Sequence, residues 1–179
     1  MFFWNLTGGC DKMEELREEC KMFREMRRKA QQLSREESLE ILREGTSGVL
    51  SLLGDGGYPY GVPMSYTYEE GKLYFHSAVT GHKVEAIKNC EKASFCVIAK
   101  DDVQPEALTT NYKSVIAFGG IRILTGEEKL RAILSIGKKY SGVLGEETLL
   151  EEIRGAMDRM ILISMEIQHL TGKHGKGLL

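Results

Sequence analysis

The sequence predicts a mainly β domain in which six mostly antiparallel strands form a closed or split barrel with helices on its outside. Three β-segments follow one another over residues 47–77, joined by the turn-forming stretches GDGG and EEG. Residues 112–124 and 159–170 also have strand character, and the helical segments between them are short and amphipathic. An open α+β sheet and a parallel βαβ fold are the alternatives, and the early hairpins argue against the parallel fold.

The remaining elements follow from local signals. Ser34 and Glu37 have the spacing of a capping box, which predicts a helix that ends near Gly45. Gly119 and Gly120 interrupt the fifth strand and predict a bulge or sharp bend. After the three-strand meander we expect a helix at 82–90, a strand at 93–100, a polar loop at 101–110, the fifth strand at 112–124, helices at 126–140 and 146–157, the sixth strand at 159–170 and a small-residue tail.

The N-terminal part of the chain has a different texture. Residues 12–33 contain neither Gly nor Pro and are rich in helix-forming residues. A helix there has one narrow apolar stripe, formed by Met13, Leu16, Cys20 and Phe23. We therefore divide the chain into an N-terminal helical appendage, residues 1–26, and a barrel domain, residues 27–179.

Composition excludes several classes of protein. The net charge of −2 provides no basic field for nucleic acid or anionic membranes, and no apolar run is long enough to span a bilayer. The four cysteines show no CxxC spacing, so we expect reduced thiols in a cytoplasmic protein. A hydrophobic content of 42% is sufficient for a packed core.

Common catalytic and binding motifs are missing. His76 and His82 are six residues apart, but no flanking Cys or carboxylate completes a metal-binding pattern, so no metal is expected. The sequence has no GxSxG elbow, no GxGxxG and no GxxxxGK[ST], which argues against the usual serine hydrolases and the two common nucleotide-binding loops.

The stretch YFHSAVTGHK, residues 74–83, is the most informative part of the sequence. It combines the hydroxyl of Ser77, a flexible loop at Gly81 and the donors His82 and Lys83. If a helix begins near His82, its N-terminus adds a partial positive charge to the same place. This pattern indicates a phosphate-binding cradle; the alternative is an ordinary strand-to-helix turn whose polar groups face water.

Four segments in a fixed order, VPMSY, LYFHSAVTGHK, NYKSVIAFGGIRIL and EIQHLTGKHG, resemble the pyridoxamine-phosphate-oxidase-related flavoproteins, in particular the nitroimidazole-resistance (Nim-type) branch. The resemblance covers residues 27–175. It implies a split β-barrel that forms a homodimer, with two FMN molecules at the subunit interface; some members of the family bind FAD instead.

The resemblance also implies which residues hold the flavin. Backbone groups of the VPMS segment line the isoalloxazine, the FHS segment flanks the ring and ribityl chain, and the HK pair holds the phosphate. The serine of YKSV reaches the flavin from the fifth strand, within its own subunit or across the dimer. In this sequence the set is Val62, Pro63, Met64, Ser65, Phe75, His76, Ser77, His82, Lys83 and Ser114.

Nitroaromatic reduction is the activity that the resemblance suggests. It ties His76 to the reductive site, where an imidazole can donate a proton to a reduced substrate. The other interpretation of His76 is a histidine held at a strand end by a backbone carbonyl. Met64, Tyr66 and Tyr112 are candidates to border a small substrate, or else pack in the core or an interface.

One departure and two alternatives remain. Pyridoxamine-phosphate oxidases carry an Arg/Lys-rich strand and C-terminal Trp and Arg residues, whereas this chain reads YGVPMSY and its single tryptophan is Trp4. Pyridoxal phosphate synthesis is therefore not expected. The first alternative is binding or breakdown of haem, with His169 or His174 as axial ligand. The second is a module without turnover that holds a flavin or a protein partner.

Overall fold

A computed structural model of the chain describes residues 22–142 and 146–178. Its centre is one antiparallel sheet of seven strands in the order β2-β1-β5-β6-β7-β4-β3. The strands are β1 Ser47–Leu53, β2 Pro59–Ser65, β3 Thr67–Glu69, β4 Lys72–Ala78, β5 Lys92–Gln104, β6 Thr109–Ile123 and β7 Met160–His174. The helices are α1 Arg35–Glu44, α2 His82–Asn89, α3 Gly126–Tyr140 and α4 Glu146–Ala156.

The mainly β, antiparallel architecture with peripheral helices is confirmed, but there are seven strands rather than six. The difference arises at Tyr66, where the predicted second β-segment breaks into β2 and β3. These two pieces form the opposite edges of the sheet and do not pair with each other. The sheet therefore rolls up around this segment but is not closed.

The inner face of the rolled sheet is filled by its own side chains. Phe95 packs edge-on against Tyr66 and Phe75, with ring centroids 4.8 and 5.1 Å apart, and all three rings are fully buried. Aliphatic side chains from β1, β4, β5, β6 and β7 complete the core, among them Leu50, Leu73, Val97, Val115 and Met165. A core packed in this way has no room for a large ligand, which must bind outside the barrel.

Two loop predictions are wrong because the strands continue beyond the apolar segments from which they were predicted. The predicted polar loop at 101–110 continues the β5–β6 ladder as far as Gln104 and Thr109, and the predicted tail belongs to β7 up to His174. Backbone pairing with a long neighbouring strand decides the conformation here, whatever the polarity of the side chains. The predicted bulge is confirmed, since the β6–β7 register shifts between Phe118 and Gly119.

The helices pack on the outside of the sheet. The capping box of α1 is confirmed: Glu37 N–H donates to Ser34 Oγ at 3.2 Å, and Ser34 N–H donates to Glu37 Oε2 at 2.7 Å. Helices α3 and α4 enclose a second apolar cluster with β7, which includes Ile133, Ile136, Leu149, Ile153 and Leu162. No helix in the described ranges is both long and apolar enough to cross a membrane.

The predicted N-terminal helix is described only in part. Residues 22–33 contain a single 3-10 turn, Lys29–Gln31, and otherwise form irregular structure with bends at Phe23 and Arg27, so the helix does not continue into this range. Instead the segment is bound to β7, where Leu33 N–H donates to Gly172 O at 3.0 Å. Gly172 allows this approach because a side chain there would collide with Leu33 and Ser38. The rest of the appendage lies outside the described residues.

Candidate functional site

An open pocket lies where the rolled sheet fails to close. On one side is β2, which pairs only with β1 and leaves its outer backbone edge free. On the other side is the end of β4, beyond the three residues that pair with β3. The pocket has a volume of ≈ 370 Å³ and is lined by Tyr60, His76, Ser77, Ala78, Thr80, Gly81, His82 and Lys83.

The N-terminus of α2 forms one end of this pocket. Gly81 precedes the helix with φ = 129°, a conformation that side-chain-bearing residues rarely adopt. Its carbonyl accepts the N–H groups of Val84 and Glu85, at 2.9 and 3.2 Å. The N–H groups of His82 and Lys83 lie before the first N–H that bonds within the helix, so they have no intrahelical acceptor. No side chain caps the helix. This is the geometry in which a helix N-terminus binds an anion.

Lys83 adds a cation to the same place. Its Nζ lies 3.4 Å from the thioether Sδ of Met64 on β2, and no carboxylate of the described residues is within ion-pair distance of it. Partial burial disfavours the ammonium and lowers the pKa of Lys83 below its usual 10.5. An incoming anion would supply the missing counter-charge.

The imidazole of His82 is held by the β1–β2 turn. Its ring stacks on that of Tyr60, with centroids 4.1 Å apart and planes 21° from parallel. The N–H of Asp55 donates to Nε2 at 3.4 Å, and the Asp55 carboxylate lies 3.6 Å from the same nitrogen. Our sequence analysis missed Tyr60 and Asp55, because only the rolled sheet brings the turn beside α2.

The strand alternation divides the predicted residues of β4 between two environments. His76 is exposed and lines the pocket, whereas the side chain of Phe75 is fully buried against Phe95 and can contribute only backbone groups to a ligand there. Ser77 is on the buried side but still lines the pocket, with 8% of its surface exposed.

Alternation along β2 likewise separates its predicted residues. Val62 and Met64 turn towards the core, and Pro63 and Ser65 are exposed on the outer face. All four lie on the strand whose free edge borders the pocket. Their backbone groups are therefore the ones that a planar ligand along this edge would meet, as the resemblance implies.

Ser114 is not among the residues that line the pocket. It lies in β6, between Ile98 of β5 and Lys173 of β7. Its contact with a flavin, within its own subunit or across a dimer, therefore stays a prediction. Of the candidate haem ligands, His169 is covered on one face by the ring of Phe23, 4.6 Å away, and His174 Nδ1 lies 2.9 Å from Gly175 O.

Comparison with known families decides the relationship. Residues 34–174 match the pyridoxamine 5′-phosphate oxidase family. The chain belongs to this family. The match covers the whole rolled sheet, α1 to α4 and every residue of the candidate site. The resemblance seen in the sequence is thereby confirmed, whereas no individual curated protein matches the chain.

Solved structures related to this pyridoxamine 5′-phosphate oxidase family member share its fold at low identity. A candidate 5-nitroimidazole antibiotic resistance protein from Bacteroides thetaiotaomicron is 19% identical, with a TM-score of 0.69 over 80% of this chain and 86% of that one. A FAD-binding protein from Mesorhizobium loti is 23% identical, with a TM-score of 0.56 over 81% and 97%. A FAD and haem binding protein from Mycobacterium smegmatis is 17% identical, with a TM-score of 0.64 over 82% and 74%.

The uncompensated charge of Lys83 gives a prediction about stability. Lys83→Met keeps the length of the side chain and removes the ammonium, so the variant should unfold at a higher temperature than the wild type at neutral pH when no ligand is bound. Raising the pH towards 10.5, the usual pKa of the group, neutralises the wild-type amine, and the difference should shrink. Thermal unfolding at the two pH values measures both effects.

Lys88→Met is the matched control, because Lys88 lies on the same helix but is exposed and paired with Glu85 at 2.9 Å. It should bring no such stabilisation. A melting temperature of Lys83→Met at or below that of the wild type would show that burial of this ammonium costs nothing.

Proposed function

We propose that the protein is a flavin-binding oxidoreductase that binds FMN at the open pocket and reduces a small substrate such as a nitroaromatic compound. The observation that carries the proposal is the combination of an uncapped α2 N-terminus and a partly buried, unpaired Lys83 at one end of the pocket. Such a site suits a phosphate monoester. Membership of the family and the flavin-binding neighbours support the flavin itself.

The pocket fits the parts of FMN in order. The phosphate would be held by the amides of His82 and Lys83, the Lys83 ammonium and the Ser77 hydroxyl, all at one end. The ring would extend along the free edge of β2, where unpaired backbone groups can bond its polar atoms. A cradle at a helix N-terminus serves a terminal phosphate, which favours FMN; FAD remains the alternative.

When bound, the flavin supplies the redox chemistry, and the protein supplies position and proton control. His76 lines the same pocket with its side chain exposed, so its imidazole is available to donate a proton to a substrate being reduced. We propose this role for His76. Tyr66 does not border the substrate in this arrangement, because its side chain is fully buried in the core.

A second subunit would complete the site. The outer face of the sheet carries an apolar stripe across three neighbouring strands, in which Val49, Cys96 and Ile116 are cross-strand partners and Ile98 follows on β5. Ile98 is 67% exposed. A contiguous exposed apolar stripe is typical of an interface. We propose that it forms a homodimer and that Ser114, which pairs with Ile98, lies at the edge of the contact.

The other functions have less support. A haem in the open pocket would need an axial ligand there, but the candidate ligands His169 and His174 are not among the residues that line it. A flavin-holding protein without turnover has the same pocket and differs only in activity. The visible absorption spectrum of the purified protein with added FMN or haem, taken after desalting, separates these possibilities.

The double variant His82→Ala/Lys83→Ala tests the phosphate cradle. We expect it to weaken FMN binding by about tenfold or more, since charge-assisted bonds to the phosphate are lost, and to leave riboflavin binding unchanged. Quenching of flavin fluorescence measures both affinities. Lys88→Ala on the same helix is the control and should change neither. Equal loss of FMN and riboflavin affinity would place the phosphate elsewhere.

The proposed role of His76 predicts a separation of binding from activity. His76→Gln should retain FMN but reduce a nitroaromatic compound about 10²-fold more slowly, because amide groups do not donate protons readily. Single-turnover oxidation of the enzyme-bound flavin by 4-nitrobenzoate, after anaerobic reduction with one equivalent of dithionite, measures the rate. His174→Gln is the control. A variant as active as the wild type would show that His76 has no chemical role.

The proposed dimer predicts that Ile98→Glu yields a monomer. A carboxylate in the middle of the apolar stripe cannot be buried without a partner, so association should be lost while the fold remains. Sedimentation velocity measures the state, and Leu108→Glu, at a 95% exposed position outside the stripe, should behave as the wild type. If the wild type sediments as a monomer, this surface has another use.

A further inference from the structure

The turn between β1 and β2 does more than connect two strands. Gly54 has no side chain, and one placed there would come within 3.2 Å of His82 Nε2. The following residue, Asp55, begins the 3-10 turn Asp55–Gly57 and directs both its N–H and its carboxylate at that nitrogen. Tyr60 of β2 covers one face of the imidazole. Three contacts from one hairpin thus hold a side chain that belongs to α2.

These contacts decide which imidazole nitrogen is left for a ligand. A backbone N–H can only donate, so the neutral imidazole must accept at Nε2 and carry its proton on Nδ1. When the ring is doubly protonated, Nε2–H instead faces the Asp55 carboxylate 3.6 Å away. In both states Nε2 is occupied, and Nδ1–H is the donor that remains among the described contacts.

We propose that Asp55 is a positioning residue for the phosphate site: it engages Nε2 of His82 and so presents Nδ1–H to the phosphate. Tyr60 assists by fixing the plane of the ring. The inference rests on the proposed binding of FMN, but it concerns the state of His82, which exists without the flavin. It extends the phosphate site from α2 to the β1–β2 hairpin.

The backbone geometry allows a variant that removes the contact cleanly. Asp55 is the first residue of its 3-10 turn, a position that proline tolerates, and Gly54 before it is extended with ψ = −174°, as a residue before proline should be. Asp55→Pro therefore deletes the N–H and the carboxylate together. Asp55→Asn deletes only the charge and retains the N–H.

Binding of FMN and riboflavin to the full chain is the first measurement. We expect Asp55→Pro to weaken FMN binding by about tenfold, with riboflavin binding within a factor of about two of the wild type. Asp55→Asn should lose less. In a His82→Ala background, Asp55→Pro should have no further effect, because the residue through which it acts is absent.

Glu85→Gln is the matched control for charge. Glu85 lies in the first turn of α2, so its neutralisation makes the site less negative, as Asp55→Asn does. If Asp55 acted only by repelling the phosphate, Asp55→Asn and Glu85→Gln would both strengthen FMN binding. That result would overturn the proposal. So would a loss of FMN affinity by Asp55→Pro that persists in the His82→Ala background.

The second measurement is independent of the flavin. Nitrogen-15 chemical shifts of the His82 imidazole in the flavin-free protein report which nitrogen carries the proton. The wild type should have the Nδ1–H form, and Asp55→Pro should shift the population towards Nε2–H. A wild type already in the Nε2–H form would overturn the inference. A wild type with no preference for FMN over riboflavin would instead contradict the proposed function. The nitrogen-15 shifts would then still decide whether Asp55 sets the protonated nitrogen of His82.

Discussion

The whole arrangement depends on how the chain turns at Tyr66. This residue separates β2 from β3, which form opposite edges of the same sheet. Its N–H is shared between the Thr46 carbonyl, at 3.3 Å, and the Tyr140 hydroxyl at the end of α3, at 3.0 Å. The same hydroxyl donates to Tyr66 O at 2.8 Å. The Tyr66 ring is buried beneath Lys139, whose Nζ is 4.6 Å from the ring centroid. Helix α3 thereby stabilises a break in the sheet.

The break explains where the pocket lies. Because β3 pairs with only the first three residues of β4, the remainder of β4 faces the free edge of β2 across a gap. The filled core excludes ligands from inside, so the gap is the place where backbone groups remain available. Helix α2 follows β4 directly and presents its N-terminus at one end of that gap.

The site carries costs that a ligand would offset. Gly81 has a positive φ, the helix end is uncapped, and Lys83 is partly buried beside a thioether. None of these features stabilises the fold by itself, and similar local costs often mark functional sites. By contrast, α1 has a complete capping box, and the long strands are paired along most of their length.

The sequence by itself determined the antiparallel β architecture, the helix positions after residue 33, the bulge at Gly119 and the strand–loop–helix segment at residues 77–83 on which the proposed phosphate site depends, because these follow from local periodicity, capping and turn chemistry. Phe75 was expected beside the ring, but strand alternation buries its side chain. Only the tertiary structure decided that one β-segment supplies both edges of the sheet, that β5 and β7 continue through polar residues, and that Asp55 and Tyr60 meet His82. Those features depend on backbone pairing and on contacts between residues far apart in the chain, which no local pattern encodes.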